Sequence, residues 1–141
     1  MTIDPLELFA AAHACFPHDP ERQTRYRQTV REVFTPQSPT GIAFEMRDLR
    51  TEDGSPGKFD VILCNGLLGG PLLNEREDLA KTTGRLCRML EQGGILLAAD
   101  CFHQGWKRTV TESMLRQMLA ENGLKVLPVG EGIAGVNADE Q

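Results

Sequence analysis

The residues best suited to chemistry follow a strongly apolar segment in the middle of the chain. Residues 58–64 read Lys-Phe-Asp-Val-Ile-Leu-Cys, the pattern of a buried β-strand, and Asn65 and Gly66 come directly after it. In open α/β sheets, small molecules bind at the carboxyl ends of the strands. The Asn65 amide offers both a donor and an acceptor to a bound amino acid or base, and Gly66 would let a ligand come close to the backbone. Asn-Gly is equally a common turn former, so both interpretations stay open.

A second polar pair follows the apolar segment 95–99. Asp100 and His103 are residue types that act in general acid–base catalysis. The sequence offers no third group to orient them, so a plain loop is the favoured interpretation and no catalytic residue is assigned. His13 and His18 have no partners at ligand spacing, and we therefore expect no metal site.

Charge and cysteine spacing limit the class of protein. The net charge of -5 argues against a nucleic-acid or anionic-membrane partner and favours a small molecule or a protein. No apolar run reaches the roughly 20 residues that span a bilayer, and residues 1–16 lack the basic start of a secretory signal, which predicts a cytosolic protein. The cysteines show no Cys-x-x-Cys spacing, which predicts buried free thiols rather than disulfides or zinc ligands: Cys15, Cys64, Cys87 and Cys101.

The elements that position these residues follow from capping signals and hydrophobic spacing. The sequence predicts helices at about residues 5–16, 20–34, 74–92 and 109–122, and strands at 41–49, 58–64, 95–99 and 124–129. Gly93-Gly94 is expected to end the third helix, and residues 130–141 to form a frayed tail or a weak edge. The pattern predicts a single domain over residues 1–141, with a helical part at 4–34 and a mostly parallel α/β sheet flanked by helices at 41–129.

Several consecutive segments resemble one known family. The strand "KFDVILCN", the helix ending in "RMLEQGG", the strand "ILLAAD" and the helix "LRQMLAENGLKVL" are similar to the second half of the class I S-adenosylmethionine-dependent methyltransferases. The resemblance covers about residues 41–129 and implies a partial Rossmann-like sheet. The chemotaxis-receptor methyltransferases look most similar, because their third strand ends in a pair like Asp48-Leu49 and their fourth resembles residues 59–64.

The resemblance implies a site for the methyl donor S-adenosylmethionine (SAM). In this family an acidic residue that opens the helix after the second strand holds the ribose hydroxyls, a role that would fall to Asp4. An acid ending the third strand binds the adenine amino group, a role that would fall to Asp48, with Leu49 beside it. Asn65 and Gly66 would line the donor pocket. Asp4 is equally well explained as a helix N-cap and Asp48 as a solvated strand end.

The sequence also departs from the family. The glycine-rich turn that approaches the methionine part of the donor would lie before Met1, and the first strand with it. The receptor methyltransferases carry Arg-Asn after the cysteine of the fourth strand, where this chain has Asn65-Gly66. We therefore expect a truncated methyltransferase that acts on an unknown acceptor if the first strand is supplied. The alternative is an inactive module that binds a protein or dimerises through unpaired strand edges.

Overall fold

The chain divides into two compact units in a computed structural model, which describes residues 5–33, 43, 45–51, 57–70, 73–99, 110–130 and 132–138. One unit is Met1–Asp48 and the other is Leu49–Gln141. The single domain expected over residues 1–141 stays a prediction. None of the helices in the described ranges is long and apolar enough to cross a bilayer.

The first unit contains two helices, α1 (Pro5–His13) and α2 (Pro20–Val33), which confirms both helices predicted at the start of the chain. The first helix ends before Phe16 because Ala14 adopts a φ of 49°, outside the helical region. Asp19 caps α2, since its carboxylate accepts a hydrogen bond from the Arg22 amide at 2.8 Å. The Tyr26 hydroxyl donates to the Ala11 carbonyl at 3.2 Å, and this bond joins the two helices.

The second unit is a mixed sheet with helices packed on it. Its elements are β1 (Phe59–Asn65), α3 (Arg76–Arg88), β2 (Leu90–Ala99), α4 (Glu112–Glu121), β3 (Lys125–Leu127) and β4 (Ile133–Val136). The strand order is β1-β2-β4-β3. β1 and β2 are parallel, whereas β4 is antiparallel to both β2 and β3. β1, β2 and β3 therefore point the same way, which confirms the predicted α/β class with a mostly parallel sheet.

The core of the second unit lies between one face of the sheet and the helices α3 and α4. Leu79 of α3 and Leu96 of β2 are fully buried, and Leu119 of α4 is nearly so. Each such leucine contributes roughly 1.5–3 kcal/mol relative to an exposed one. Each helix therefore packs on the sheet through the apolar residues along one of its faces.

The ends of α4 follow local sequence signals. The Thr111 hydroxyl accepts a hydrogen bond from the Met114 amide at 3.2 Å and caps the first turn. Gly123 has a φ of 83°, and the Leu124 amide bonds back to the Leu119 carbonyl at 3.1 Å. The helix therefore ends at a glycine, as predicted.

The prediction that Gly93-Gly94 ends a helix was wrong. α3 ends at Arg88 with Met89 as its cap, and both glycines lie within β2. Phe59 pairs with Leu90 but Val61 pairs with Ile95, so the extra β2 residues form an irregularity that contains the two glycines. Gly93 has a φ of 76° within this irregularity. Such a backbone conformation favours glycine as strongly as a helix end does.

The prediction of a frayed tail was also wrong for the part of the tail that the structure describes. Residues 133–136 form β4, an inner strand between β2 and β3, in which Ile133 and Ala134 are buried. A Cβ on Gly135 would lie 3.1 Å from a Leu124 methyl carbon. Small residues here allow close packing, and they also hide the alternating pattern by which a strand is recognised.

The predicted strand at 41–49 lies partly outside the described residues. Residues 43 and 45–49 are described, and of these only Met46 forms a strand-type bridge. Asp48 and Leu49 therefore do not end a regular strand in the described part of the chain.

Candidate functional site

The carboxyl ends of β1 and β2 lie side by side. Asn65, the last residue of β1, is in register with Ala99, the last residue of β2. The Gly66 amide then donates to the Ala99 carbonyl at 2.8 Å, which holds the chain at this edge after the strand has ended. Because the two strands are parallel, this is the edge at which small molecules bind in open α/β sheets.

Asn65 is a strand residue and not part of the turn that follows. The residue is exposed at the strand end, where its amide can donate to and accept from a ligand. Gly66 begins the turn with a φ of 69°, a conformation that favours glycine. The turn-forming role therefore belongs to Gly66, whereas the Asn65 amide is not used by the turn.

The glycines of the following turn are explained by the turn itself. A Cβ on Gly70 would lie 2.6 Å from the Gly66 carbonyl oxygen, a distance that excludes any side chain. The Gly70 amide donates to the Leu67 carbonyl at 3.2 Å, and the Gly69 amide donates to the Leu73 carbonyl at 2.9 Å. Gly69 and Gly70 therefore need no ligand to account for them.

Val110 is a residue of this region that the sequence did not point to. It is buried, and a Cβ on Gly69 would lie 3.3 Å from its side chain. Val110 thus packs against Gly69 in the turn that follows β1. The sequence placed it in the first turn of a helix, and the apolar character of the residue was its only signal.

The buried cysteines of the second unit are unsuited to nucleophilic chemistry. Burial raises the pKa of the Cys64 thiol to about 11, although a backbone hydrogen bond at Leu68 partly opposes the shift. Burial likewise raises the pKa of Cys87 to about 11, with an opposing effect from Arg88. Both thiols are protonated near neutral pH, and both are buried and free, as predicted. Cys15 is free but only half-buried, and Cys101 lies outside the described residues.

Leu49 lies toward the opposite end of the sheet from Asn65. Its side chain packs on the core of the second unit, and its carbonyl accepts a hydrogen bond from the Arg85 guanidinium near the end of α3. That end of α3 lies where β1 begins, since the Phe59 amide bonds to the Met89 carbonyl at 2.8 Å. A strand of this length spans roughly 20 Å. The structure therefore does not bring Leu49 and Asn65 together.

The other predicted site residues lie in the first unit or outside the described residues. Asp48 belongs to the first unit, where it is half-buried. Asp4, Asp100 and His103 lie outside the described residues. Of the sequence-predicted residues, only Asn65 and Gly66 are placed together at a strand end.

A shallow depression on α2 offers no comparable site. It is lined by Pro20, Glu21, Thr24 and Arg25, all of which are exposed. Ligand pockets bury most of a bound molecule and are lined mainly by apolar side chains. The depression therefore lacks the enclosure that a cofactor site requires.

Comparison with known proteins gives both a family match and a structural match. A family model described as a methyltransferase domain matches residues 28–130. No curated protein matches the chain. The structure of magnesium protoporphyrin IX methyltransferase from Synechocystis PCC 6803 with bound SAM is similar, with a TM-score of 0.51 and 22% identity over 82% of this chain and 55% of that chain.

The same enzyme with bound S-adenosylhomocysteine (SAH) gives a TM-score of 0.49 and 19% identity, over 82% of this chain and 60% of that chain. The chain thus spans little more than half the length of these structures. At 22% identity the likeness to the SAM-bound structure concerns the fold, which is Rossmann-like. The expected closeness to the chemotaxis-receptor methyltransferases finds no support in these matches.

Proposed function

We propose that this chain, which belongs to the methyltransferase domain family, binds SAM at the carboxyl ends of β1 and β2 and takes part in methyl transfer. The observation that carries the proposal is the exposed Asn65 amide at the end of a parallel strand pair, beside the close backbone contact of Gly66 with Ala99. This arrangement gives a polar ligand group and an approachable backbone at the edge where ligands bind.

The donor contacts proposed from the family resemblance differ in their support. Asn65 and Gly66 have the strand-end placement that the proposal needs. Asp4 as the ribose ligand and Asp48 as the adenine ligand rest on the resemblance alone. Leu49 is the weakest member of the set, because its carbonyl is held by Arg85 toward the start of β1.

Methyl transfer makes modest demands on side chains. The methyl group passes from the donor sulfur to a nucleophile of the acceptor, and the rate gain comes mainly from holding the two in line. A covalent route through Cys64 is disfavoured, because burial keeps the pKa of its thiol at about 11. We propose that the pocket is completed by another polypeptide, which adds a strand along the side of β1 that no described strand occupies.

Thermal unfolding with SAM or SAH tests the proposal. A ligand at about 100 times its dissociation constant stabilises the native state by roughly 2.7 kcal/mol and raises the melting temperature. Asn65→Ala should reduce this shift. Gln117→Ala is the matched control, since it removes another exposed amide, one on α4. No shift at millimolar SAM and SAH, or an equal loss in the two variants, would rule out donor binding by Asn65 in this chain.

A second candidate is a module without catalytic activity that binds a protein or a second copy of itself. The observation in its favour is the exposure of Val61 and Leu63 on β1, which is unusual for apolar residues of a strand. Absence of a donor-induced shift together with self-association would favour this candidate.

A further inference from the structure

Among the described strands, β1 lies at one edge of the sheet. Within the described residues β1 pairs with β2 alone, which leaves a row of backbone amides and carbonyls along its other side. Proteins usually protect such edges with Pro, Lys or a bulge that faces outward. β1 contains neither Pro nor Lys, and the extra residues of its pairing irregularity lie in β2. The edge is therefore open to another strand.

One face of β1 is apolar and exposed. Val61 is 54% exposed and Leu63 is 74% exposed, and because they alternate along the strand they share a face with Phe59. Leu97 of β2 is in register with Leu63 and is also exposed. The opposite face of the strand carries Cys64, which is buried in the core. The exposed face thus has the composition of a contact surface.

We propose that β1 pairs antiparallel with β1 of a second copy of the chain, about a two-fold axis through Ile62. Ile62 is the midpoint of the strand Phe59–Asn65, so this register pairs the whole strand. It sets Val61 opposite Leu63 of the partner subunit and Leu63 opposite Val61 of the partner subunit. Two cross-strand apolar pairs then form beside the axis. The same patch serves both copies, as an isologous interface requires.

The charge of the strand supports this register. Asp60 is the only charged residue of β1. An axis through Asp60 would place the two carboxylates opposite each other, which destabilises a strand pair. An axis through Ile62 places Asp60 opposite Cys64 of the partner subunit instead. An axis through Leu63 would leave Phe59 and Asp60 unpaired, so the strand is most complementary to itself about Ile62.

The argument for the dimer does not rest on donor binding, but the dimer competes with completion of the donor pocket. It occupies the edge of β1 at which an additional strand would have to be added, so one molecule cannot do both. The interface is small, since seven paired residues span roughly 20 Å. We expect a reversible, concentration-dependent dimer and not a permanent one.

Sedimentation equilibrium of the full chain, from micromolar to millimolar concentration, tests the dimer. The wild type should show a monomer–dimer equilibrium. Leu63→Lys should raise the dimer dissociation constant by roughly tenfold or more, because it puts two ammonium groups into the apolar contact. Leu6→Lys is the matched control, since Leu6 is 77% exposed but lies on α1. A wild type that stays monomeric throughout, or equal weakening by both substitutions, would overturn the proposal.

A charge exchange tests the register. Val61→Lys and Leu63→Glu should each weaken the dimer, whereas the double variant should restore it, because the ammonium group introduced at position 61 then faces the carboxylate introduced at position 63 of the other copy. Circular dichroism confirms folding of each variant, and Val61 and Leu63 are exposed enough to tolerate the change. If the double variant is no stronger a dimer than either single variant, the Ile62-centred register is wrong.

Discussion

The backbone amide of Gly66 donates a hydrogen bond to the Ala99 carbonyl at 2.8 Å, so the first residue beyond β1 is still bound to the last residue of β2. The bond fixes where the chain leaves the sheet and thereby where the Asn65 side chain stands. Gly66 can make this turn because its φ of 69° costs a glycine little.

Gly66→Ala should therefore lower the free energy of unfolding by about 1–2 kcal/mol, the cost of a left-handed backbone for a residue with a Cβ. Gly130→Ala is the control, since a Cβ at Gly130 would meet no other atom within 4 Å and the backbone there is not left-handed. The control should stay within about 0.5 kcal/mol of the wild type in urea unfolding. Equal effects of the two substitutions would contradict the role of the Gly66 conformation.

Asn137 should stabilise the irregular start of β2. Its side-chain amide donates to the Leu90 and Glu91 carbonyls, at 3.3 and 3.0 Å, and its backbone bonds to both Gly93 and Gly94. Asn137→Ala removes only the side-chain bonds and should cost about 1–2 kcal/mol in chemical unfolding. Gln117→Ala, which removes an exposed amide bonded to Glu121, should cost much less. Indistinguishable unfolding curves for the two variants would argue against this role.

Two threonines should respond to valine substitution with opposite signs. The Thr83 hydroxyl is fully buried and has no hydrogen-bond partner among the described residues, so Thr83→Val should stabilise the fold by roughly 1 kcal/mol. The Thr111 hydroxyl caps α4, so Thr111→Val should destabilise it by about 1 kcal/mol. Thermal unfolding of the two variants measures both signs. Destabilisation by Thr83→Val would show that its hydroxyl is satisfied in solution.

The buried thiols should make the protein less stable at high pH. Burial raises the pKa of Cys64 from 9.0 in the unfolded chain to about 11 in the native state. The protonated Cys64 thiol therefore contributes fully to the free energy of unfolding below pH 9.0. This contribution is lost as pH rises toward about 11, because only the unfolded chain releases the proton in that window. Cys64→Ala should fall less steeply in stability over this range than the wild type. A parallel pH dependence would show that the thiol ionises in the native state.

The parts of the fold that could be predicted are those with local causes. Asp19 before α2 and Gly123 after α4 act on neighbouring backbone groups, so the sequence alone identifies these ends. β1 was predictable as a strand because residues 61–64 form an unbroken apolar run. The expectation that this strand is buried was wrong, since Val61 and Leu63 are exposed. β4 was not predictable, since the small residues at 133–136 become a strand only by pairing with β2 and β3. Gly93-Gly94 has a helix-ending composition, but the pairing of β2 with β1 decides its conformation.

The same distinction applies to the candidate site. The placement of Asn65 and Gly66 at a strand end followed from the chain around them. The position of Leu49 did not, because it depends on a hydrogen bond from Arg85, a residue far along the chain. A residue pair such as Asp48-Leu49 can match a family pattern while its surroundings are set by contacts that the pattern does not contain.

The antiparallel insertion of β4 between β2 and β3 has a consequence for the order of assembly during translation. β3 is synthesised before β4, yet among the described strands it reaches the sheet only through β4. A nascent chain that has emerged only as far as β3 can pair β1 with β2, but the far edge of β2 stays open. The sheet can therefore be completed only after residues 133–136 have left the ribosome. Until then the growing chain exposes the unpaired edge of β2, in addition to that of β1, to other nascent chains.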